Sequence, residues 1–263
     1  MTARGIKVNH DGSTLAYAKW TGASFMAFAS DSIVVSGWVR IKGVSSGSNA
    51  DGHSLFIIPK DTTGQDNGPC FYAHAPTSTS ASPWTYRGTI TDNSTWNEPN
   101  LGSQATNEDW YIAMAYDGTG HNAIWYYGID QAGSLTNTTT GSGLAFGGNT
   151  AGGILLGGCP GGVNRGANIE LTNVKVWLGG TCYADFTASS GAWLYDEMNS
   201  ESVVHTSNLH SHWKLASSSD LTDYSGNSHT LVLTGAVTDG SMDPVDLQTS
   251  SGSACTFYGR LLA

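Results

Sequence analysis

The sequence predicts an all-β protein, an antiparallel jelly-roll β-sandwich with one short helix. Short β-branched and aromatic segments recur from end to end, bounded by Gly, Ser, Asn and Pro. A single segment places apolar residues at helical spacing. The 263 residues include 34 glycines, and only 12% are charged against 39% hydrophobic. That balance supports a packed core joined by many short polar connections and excludes a disordered chain. The length allows one large or two small domains, and one sandwich is the simpler reading.

The elements follow in chain order. Ile33 to Ile41 is β-branched and aromatic between Ser and Gly, a strand. Ser54 to Ile58 is a second, stopped by Pro59. Trp110 to Tyr116 is a third, and Asp117-Gly118-Thr119-Gly120 after it is a strong turn signal. Ala123 to Ile129 then returns, so residues 110–129 read as a hairpin. Gly153 to Gly157 and Ile169 to Leu178 are two more strands. Phe186 to Ser200 sets Trp193, Leu194, Glu197 and Met198 at helical spacings, enough for one or two turns. His210 to Leu215 alternates with period two. Leu209, Trp213 and Leu215 form a dry face, and His210, His212 and Lys214 a wet one. Leu231 to Val237 closes the series. Pro59 to Gly102 is the longest irregular region, and long ordered connections are commonly functional. The expected division is an N-terminal strand or docking arm at 1–24, the sandwich at 25–237 and a C-terminal extension at 238–263.

Eleven basic and 21 acidic residues give a net charge of −10. This argues against nucleic acid or an anionic membrane as partner. No window approaches the roughly 20 apolar residues that span a bilayer, so membrane insertion is not expected. The N-terminal stretch has no apolar run of secretory type. Cys70, Cys159, Cys182 and Cys255 form no Cys-x-x-Cys pair, which leaves zinc and dithiol chemistry without a motif. Free thiols are the default without a secretory signal.

Four stretches carry a family resemblance: SIVVSGWVRIKG at 32–43, DWYIAMAYDGTGHNAIWYYGID at 109–130, GGILLGG with IELTNVKVWLGG across 152–180, and HWKLASSSDLTDYSGNSHTLVLTG at 212–235. In order and spacing they resemble a laminin G-like domain of the concanavalin A-like lectin/glucanase superfamily. Trp38, Trp110, Asp117, Gly118, Gly128, Gly157, Trp177, Trp213, Asp223, Gly226 and Asn227 stand where the pattern has its fixed residues. The resemblance implies a jelly roll whose inner faces hold Trp38, Trp110, Trp177 and Trp213. It does not choose a ligand, because such folds host lectins, adhesion modules, enzymes and spacers.

Retaining glucanases of this fold need two carboxylates about 5 Å apart in a Glu-x-Asp-x-Glu strand. The five glutamates here, Glu98, Glu108, Glu170, Glu197 and Glu201, include no such pattern. No lyase-type strand motif and no Gly-x-Ser-x-Gly elbow is found either, so a non-enzymatic module is expected. The candidate sugar-binding residues are Tyr72, His74, Trp84, Tyr86 and Trp96, because ring faces stack on sugars and placed polar groups bind hydroxyls. Core capping is the structural alternative for those rings. No motif calls for a cofactor. Calcium is the cation that such loops suit, with Asp61, Asp66 and Asn67 as candidate ligands and Asp11, Asp117 and Asp223 as others; solvated turn acids are the alternative. His210 and His212 share one face, with His205 nearby in sequence, but a zinc site needs a third ligand in space, and a wet strand face bearing two histidines is the favoured reading. The composition and this fold together fit a virion surface protein, a phage capsid decoration or tail appendage. Its expected partners are other virion proteins, or copies of itself, and host surface polysaccharide. A secreted lectin or adhesion module is the alternative, and a polysaccharide-degrading enzyme comes third.

Overall fold

The computed structural model describes residues 4–9, 15–27, 30–44, 53–58, 70–74, 84–91, 96–97, 100–104, 107–120, 122–128, 136–140, 150–158, 167–188 and 192–242. These residues form two antiparallel sheets packed face to face, a jelly-roll sandwich. The first sheet runs in the order β11 (Thr136–Thr140), β10 (Asn122–Gly128), β9 (Asp109–Asp117), β3 (Ser32–Val44), β13 (Ala167–Leu178), β1 (Arg4–Val8) and β16 (Val237–Met242). In it β1 pairs the N-terminal half of β13, and β14 (Leu209–Trp213) the C-terminal half. The second sheet runs β15 (Val232–Thr234), β2 (Tyr17–Ala27), β12 (Thr150–Leu156), β4 (His53–Ile57), β5 (Cys70–His74) and β6 (Trp84–Thr91). Both β7 (Trp96–Asn97) and β8 (Asn100–Gln104) then pair β6. Two helices, α1 (Cys182–Ala188) and α2 (Ala192–Met198), follow β13.

Alternation explains the packing of the first sheet. In β3, Ile33, Val35, Val39 and Ile41 enter the core between the sheets, while Val34 and Trp38 face the other way. In β9, Trp110, Ile112, Met114 and Tyr116 point inward, and Tyr111, Ala113 and Ala115 outward. The outward set is also buried. Phe186, Trp193, Leu194 and Met198 of the helices cover it and make a second core. Burial on both faces is why the run from Trp110 to Tyr116 is apolar at nearly every position.

Several expectations need correction. Helical character was expected in one segment, yet α1 and α2 are separate, and α1 begins at Cys182, ahead of the expected start. The Ser-Ser-Gly sequence between them is poor in helix propensity. The four tryptophans Trp38, Trp110, Trp177 and Trp213 are all buried. Only Trp110 and Trp213 sit between the sheets, however, while Trp38 and Trp177 lie under the helices. Residues 59–102, expected as one long loop, contain β5, β6, β7 and part of β8. Leu231 to Val237 is not one strand: Gly235, at φ +72°, separates β15 from β16. A Cβ there would lie 1.9 Å from the Leu15 carbonyl oxygen, so only glycine fits.

The strand at 209–213 also departs from its expected wet face. A register shift against β13 places His210 out of step: Leu209 pairs Trp177, and Ser211 pairs Val176. Leu209 therefore packs on the second core and Trp213 in the first. His212, expected wet, is buried at 3% exposure with its Nε2–H donated to Asn173 Oδ1 at 2.9 Å. Leu215 lies past the strand, at φ +51°.

The hairpin at 109–128 forms as read, with Asp117 paired to Asn122 and Tyr116 to Ala123. Residues 1–24 and 238–263 contribute β1, the start of β2 and most of β16 to the sheets. Buried Glu170 accepts from Arg40 Nη1 and Ser241 Oγ, tying β13 to β3 and β16.

Candidate functional site

Register sorts the sugar-binding candidates onto two faces of the second sheet. Phe56, whose side chain is in the inter-sheet core, pairs Phe71. Phe71 and Ala73 in β5 pair Gly88 and Tyr86 in β6. Because faces alternate, Tyr86 and Trp84 stand at register positions of the core-side face. Tyr72 pairs Arg87, His74 pairs Thr85, and Thr91 pairs Trp96. Tyr72, His74, Trp96, Thr85 and Arg87 therefore stand at positions of the outward face. Across β6, Arg87 pairs Asn100 and Thr85 pairs Ser103 of β8. Three aromatic residues, an arginine, an asparagine and two hydroxyl residues thus share one edge and one face. The side chains of these strands lie outside the described residues. Arg87 and Asn100 were not singled out from sequence; only the strand pairing brings them beside Tyr72.

A different set of groups lies on the helical side of the first sheet. Lys175 of β13 and Glu197 of α2 are both fully buried, with Nζ and Oε2 2.7 Å apart. Nζ also donates to the carbonyls of Glu197, Ser200 and Ser202, so all three ammonium hydrogens have acceptors. Burial pulls the Lys175 ammonium below its ordinary pKa, and the Glu197 carboxylate opposes that pull. Glu197 Oε1 accepts the backbone N–H groups of Val204 and His205 and lies 3.0 Å from His205 Nδ1. A carboxylate oxygen can only accept, so His205 Nδ1 is the donor in this contact. The His205 carbonyl takes the Trp177 Nε1–H at 2.6 Å, and the Trp193 ring packs edge-on to the imidazole at 5.0 Å.

Beside His205 is an open cleft of about 540 Å³. Its lining includes Asp185 of α1, Trp193 and Asp196 of α2, and Thr206 and Ser207 of the following loop. Cys182 also lines it; burial pushes its thiol up to about 12, and Sγ donates to the Trp177 carbonyl. From sequence, Trp193 and Glu197 mark helical spacing, and Glu197 is one of five glutamates outside any glucanase pattern. Their convergence with His205 depends on the chain turning back after α2, which no local pattern announces.

The metal expectations resolve differently. Asp61, Asp66 and Asn67, the calcium candidates, lie outside the described residues, as does Asp11. Asp117 accepts the N–H groups of Thr119 and Gly120 and serves its own turn. Asp223 accepts the N–H groups of His212, Ser225 and His229 and the Ser225 hydroxyl. Burial raises its pKa, but those donors outweigh burial and hold it below the usual carboxylate range. Gly226, at φ +90°, completes this turn, and Asn227 Nδ2 ties it to the carbonyls of Leu209 and His210. His210 stacks on His229 at 4.0 Å, with Ser211 Oγ within hydrogen-bond reach of both Nδ1 atoms. His205 stands apart, held by Glu197. Among the described residues no three His, Cys, Asp or Glu are placed to hold a metal ion. No helix among them is long and apolar enough to cross a membrane.

Fold and pairing define the class, an antiparallel jelly-roll sandwich with a helical cap on one sheet. No family model and no curated protein sequence matches the chain. Solved structures with the same architecture do. The enzymatically active domain of bacteriophage CBA120 tailspike protein 2 superposes with a TM-score of 0.53 at 13% identity, over 81% of this chain and 30% of that one. The full-length tailspike protein 2, from an Escherichia coli bacteriophage, gives 0.52 at 13% identity over 81% and 26%. A heptameric pentraxin from Limulus polyphemus gives 0.46 at 11% identity over 90% and 95%. The chain thus spans under a third of the tailspike chains it resembles. At these identities the likeness shows the fold.

Proposed function

We propose that the protein is a non-enzymatic, laminin G-like binding module of a virion surface, a tail appendage or capsid decoration, whose ligand is a host surface polysaccharide. The observation that carries the glycan reading is the register of β5, β6, β7 and β8. It gathers Tyr72, His74, Trp96, Arg87 and Asn100 on the outward face at one edge of the second sheet. Aromatic residues offer ring faces, while Arg and Asn offer fixed donors for hydroxyl and carboxylate groups; this is the mixture that saccharide sites use. A sheet edge also presents an extended surface, suited to a polymer rather than a closed small molecule. The fold shared with a phage tailspike supports the virion setting by analogy of architecture. Calcium, if it contributes, acts through Asp61, Asp66 and Asn67.

A glycan array tests the reading. The full chain binds bacterial surface polysaccharides, and the Tyr72→Ala/Trp96→Ala and Arg87→Ala variants lose that binding with little change in melting temperature. Trp84→Ala, at a core-side position, lowers the melting temperature instead. Chelation with EDTA during the array reports the calcium contribution. Absence of binding to any polysaccharide overturns the glycan reading. Release of new reducing or unsaturated ends from a bound polysaccharide overturns the non-enzymatic one.

A further inference from the structure

The second sheet differs in charge from the rest of the molecule. None of the chain's 21 acidic residues lies in the eight described strands of that sheet. The first sheet, by contrast, holds Asp109, Asp117, Glu170 and Asp239. The Lys and Arg residues of the second sheet are Lys19 of β2 and Arg87 of β6. Arg87 stands at the edge that carries the glycan residues, and β12, β4 and β5 separate it from β2.

Arg87 is also part of a row that crosses four strands. Ser54 of β4 pairs Tyr72 of β5, Tyr72 pairs Arg87, and Arg87 pairs Asn100 of β8. A register shift lies at each end of this row. In β4 the extra residue is Leu55, between Ser54 and Phe56; in β8 it is Leu101, between Asn100 and Gly102. An unbroken ladder continued from Phe56–Phe71 and from Gly102–Tyr86 would set Leu55 opposite Tyr72 and Leu101 opposite Arg87. The two shifts take both leucines out of the row and leave Ser54 and Asn100 in their places. Leu55 is fully buried in the core instead. Bulges that re-aim residues are over-represented beside functional sites. At Arg87 the backbone is paired on both sides. Anion recognition there falls to the guanidinium, not to a nest of backbone N–H groups of the kind that phosphate sites use. A guanidinium fork matches a carboxylate in bidentate geometry.

We propose that the row Ser54–Tyr72–Arg87–Asn100 is a carboxylate subsite, and that the polysaccharide it takes carries isolated acidic sugars among neutral ones. This rests on the glycan reading above and narrows its ligand. One guanidinium with an amide and a hydroxyl in the same row suits one carboxylate, and Tyr72 offers a ring to the adjoining sugar. The net charge of −10 disfavours a densely charged polyanion. A single carboxylate responds instead to groups within a Debye length, about 10 Å at 0.1 M salt, and the strands around Arg87 hold no acid. Asp92 and Glu98, in the connections before and after β7, lie outside the described residues.

The test presents bacterial capsular polysaccharides to the full chain in matched pairs, native and after carbodiimide–borohydride reduction of their carboxylates to alcohols, at about 0.15 M salt. Neutral and phosphodiester-containing polysaccharides complete the set. The wild-type chain is expected to bind a carboxylate-bearing polysaccharide about tenfold more tightly than its reduced form, the scale of one charge-assisted hydrogen-bonded pair. In Arg87→Gln, which keeps an amide donor without the charge, that ratio falls to about one. Tyr72→Ala weakens both members of a pair and leaves the ratio unchanged. Unchanged melting temperatures show that the variants fold, and Arg87→Lys, which keeps the charge but loses the fork, gives an intermediate ratio. Equal binding of native and reduced forms, binding confined to neutral or phosphodiester polysaccharides, or a ratio that persists in Arg87→Gln overturns the carboxylate subsite and leaves the glycan reading standing. Absence of binding to every polysaccharide overturns the glycan reading, and the subsite with it.

Discussion

Trp213 and Trp177 lie on adjacent paired strands and are equally buried, yet they belong to different cores. Truncating either to Ala should cost about 3–5 kcal/mol in chemical denaturation, because both leave a large cavity. The consequences differ. Trp177→Ala also removes the donor to the His205 carbonyl and the ring that packs 4.7 Å from Trp193, so it loosens the helical cap. Hydrogen exchange in 182–207 should rise in that variant and stay near wild type in Trp213→Ala. The buried Lys175–Glu197 pair makes a second residue-scale prediction. Glu197→Gln leaves a buried ammonium without its counter-charge and should cost about 3–5 kcal/mol. Lys175→Met/Glu197→Leu should cost less than either single change; a larger loss in the double variant would contradict this account.

The histidines of β14 set the acid behaviour of that element. Burial, with help from His229, lowers His210 to about 4. Burial, with Lys175 and Lys214, lowers His212 to about 3, while Asp223 opposes both shifts. A folded-state value below the unfolded value of about 6.5 means that the unfolded chain binds more protons between the two. Stability carried by the neutral rings is therefore complete above about pH 6.5 and falls as the pH drops through about 4 and then 3. The loss is on the order of a few kcal/mol. In His212→Gln the melting temperature should fall less steeply between pH 6 and 4 than in wild type. Asp223 acts in a separate, more acidic window, because its folded value is depressed and its contribution fades only as that carboxylate protonates. At the edge of the sheet, Met242 of β16 is fully buried against the second core. Met242→Ala should cost about 2–5 kcal/mol and weaken the pairing of β16 with β1.

At the scale of the molecule, the first sheet is sandwiched between the second sheet and two short helices, while the outward edge of the second sheet carries the proposed glycan residues. Local pattern was enough for the class of fold and for the 109–128 hairpin. There, β-branched and aromatic runs, a turn rich in Asp and Gly, and the apolar balance all point one way. The Asp223–Asn227 turn was equally readable, because its chemistry is local: a carboxylate accepting nearby N–H groups and a glycine at positive φ. Pattern failed where a second layer intervened. A strand buried on both faces has no polar side to betray its orientation, so Trp38 and Trp177 could not be placed from sequence. The shift at His210 reverses the parity of β14 without any mark in the composition. The outward grouping of Tyr72, His74 and Trp96 with Arg87 and Asn100 depends on pairing between strands far apart in sequence. So does the meeting of Asp185, Asp196 and His205 around one cleft, with Glu197 buried behind His205. Alternation along one strand is a short-range property that a chain writes in its own residues, whereas register between strands is fixed only when the whole sandwich closes.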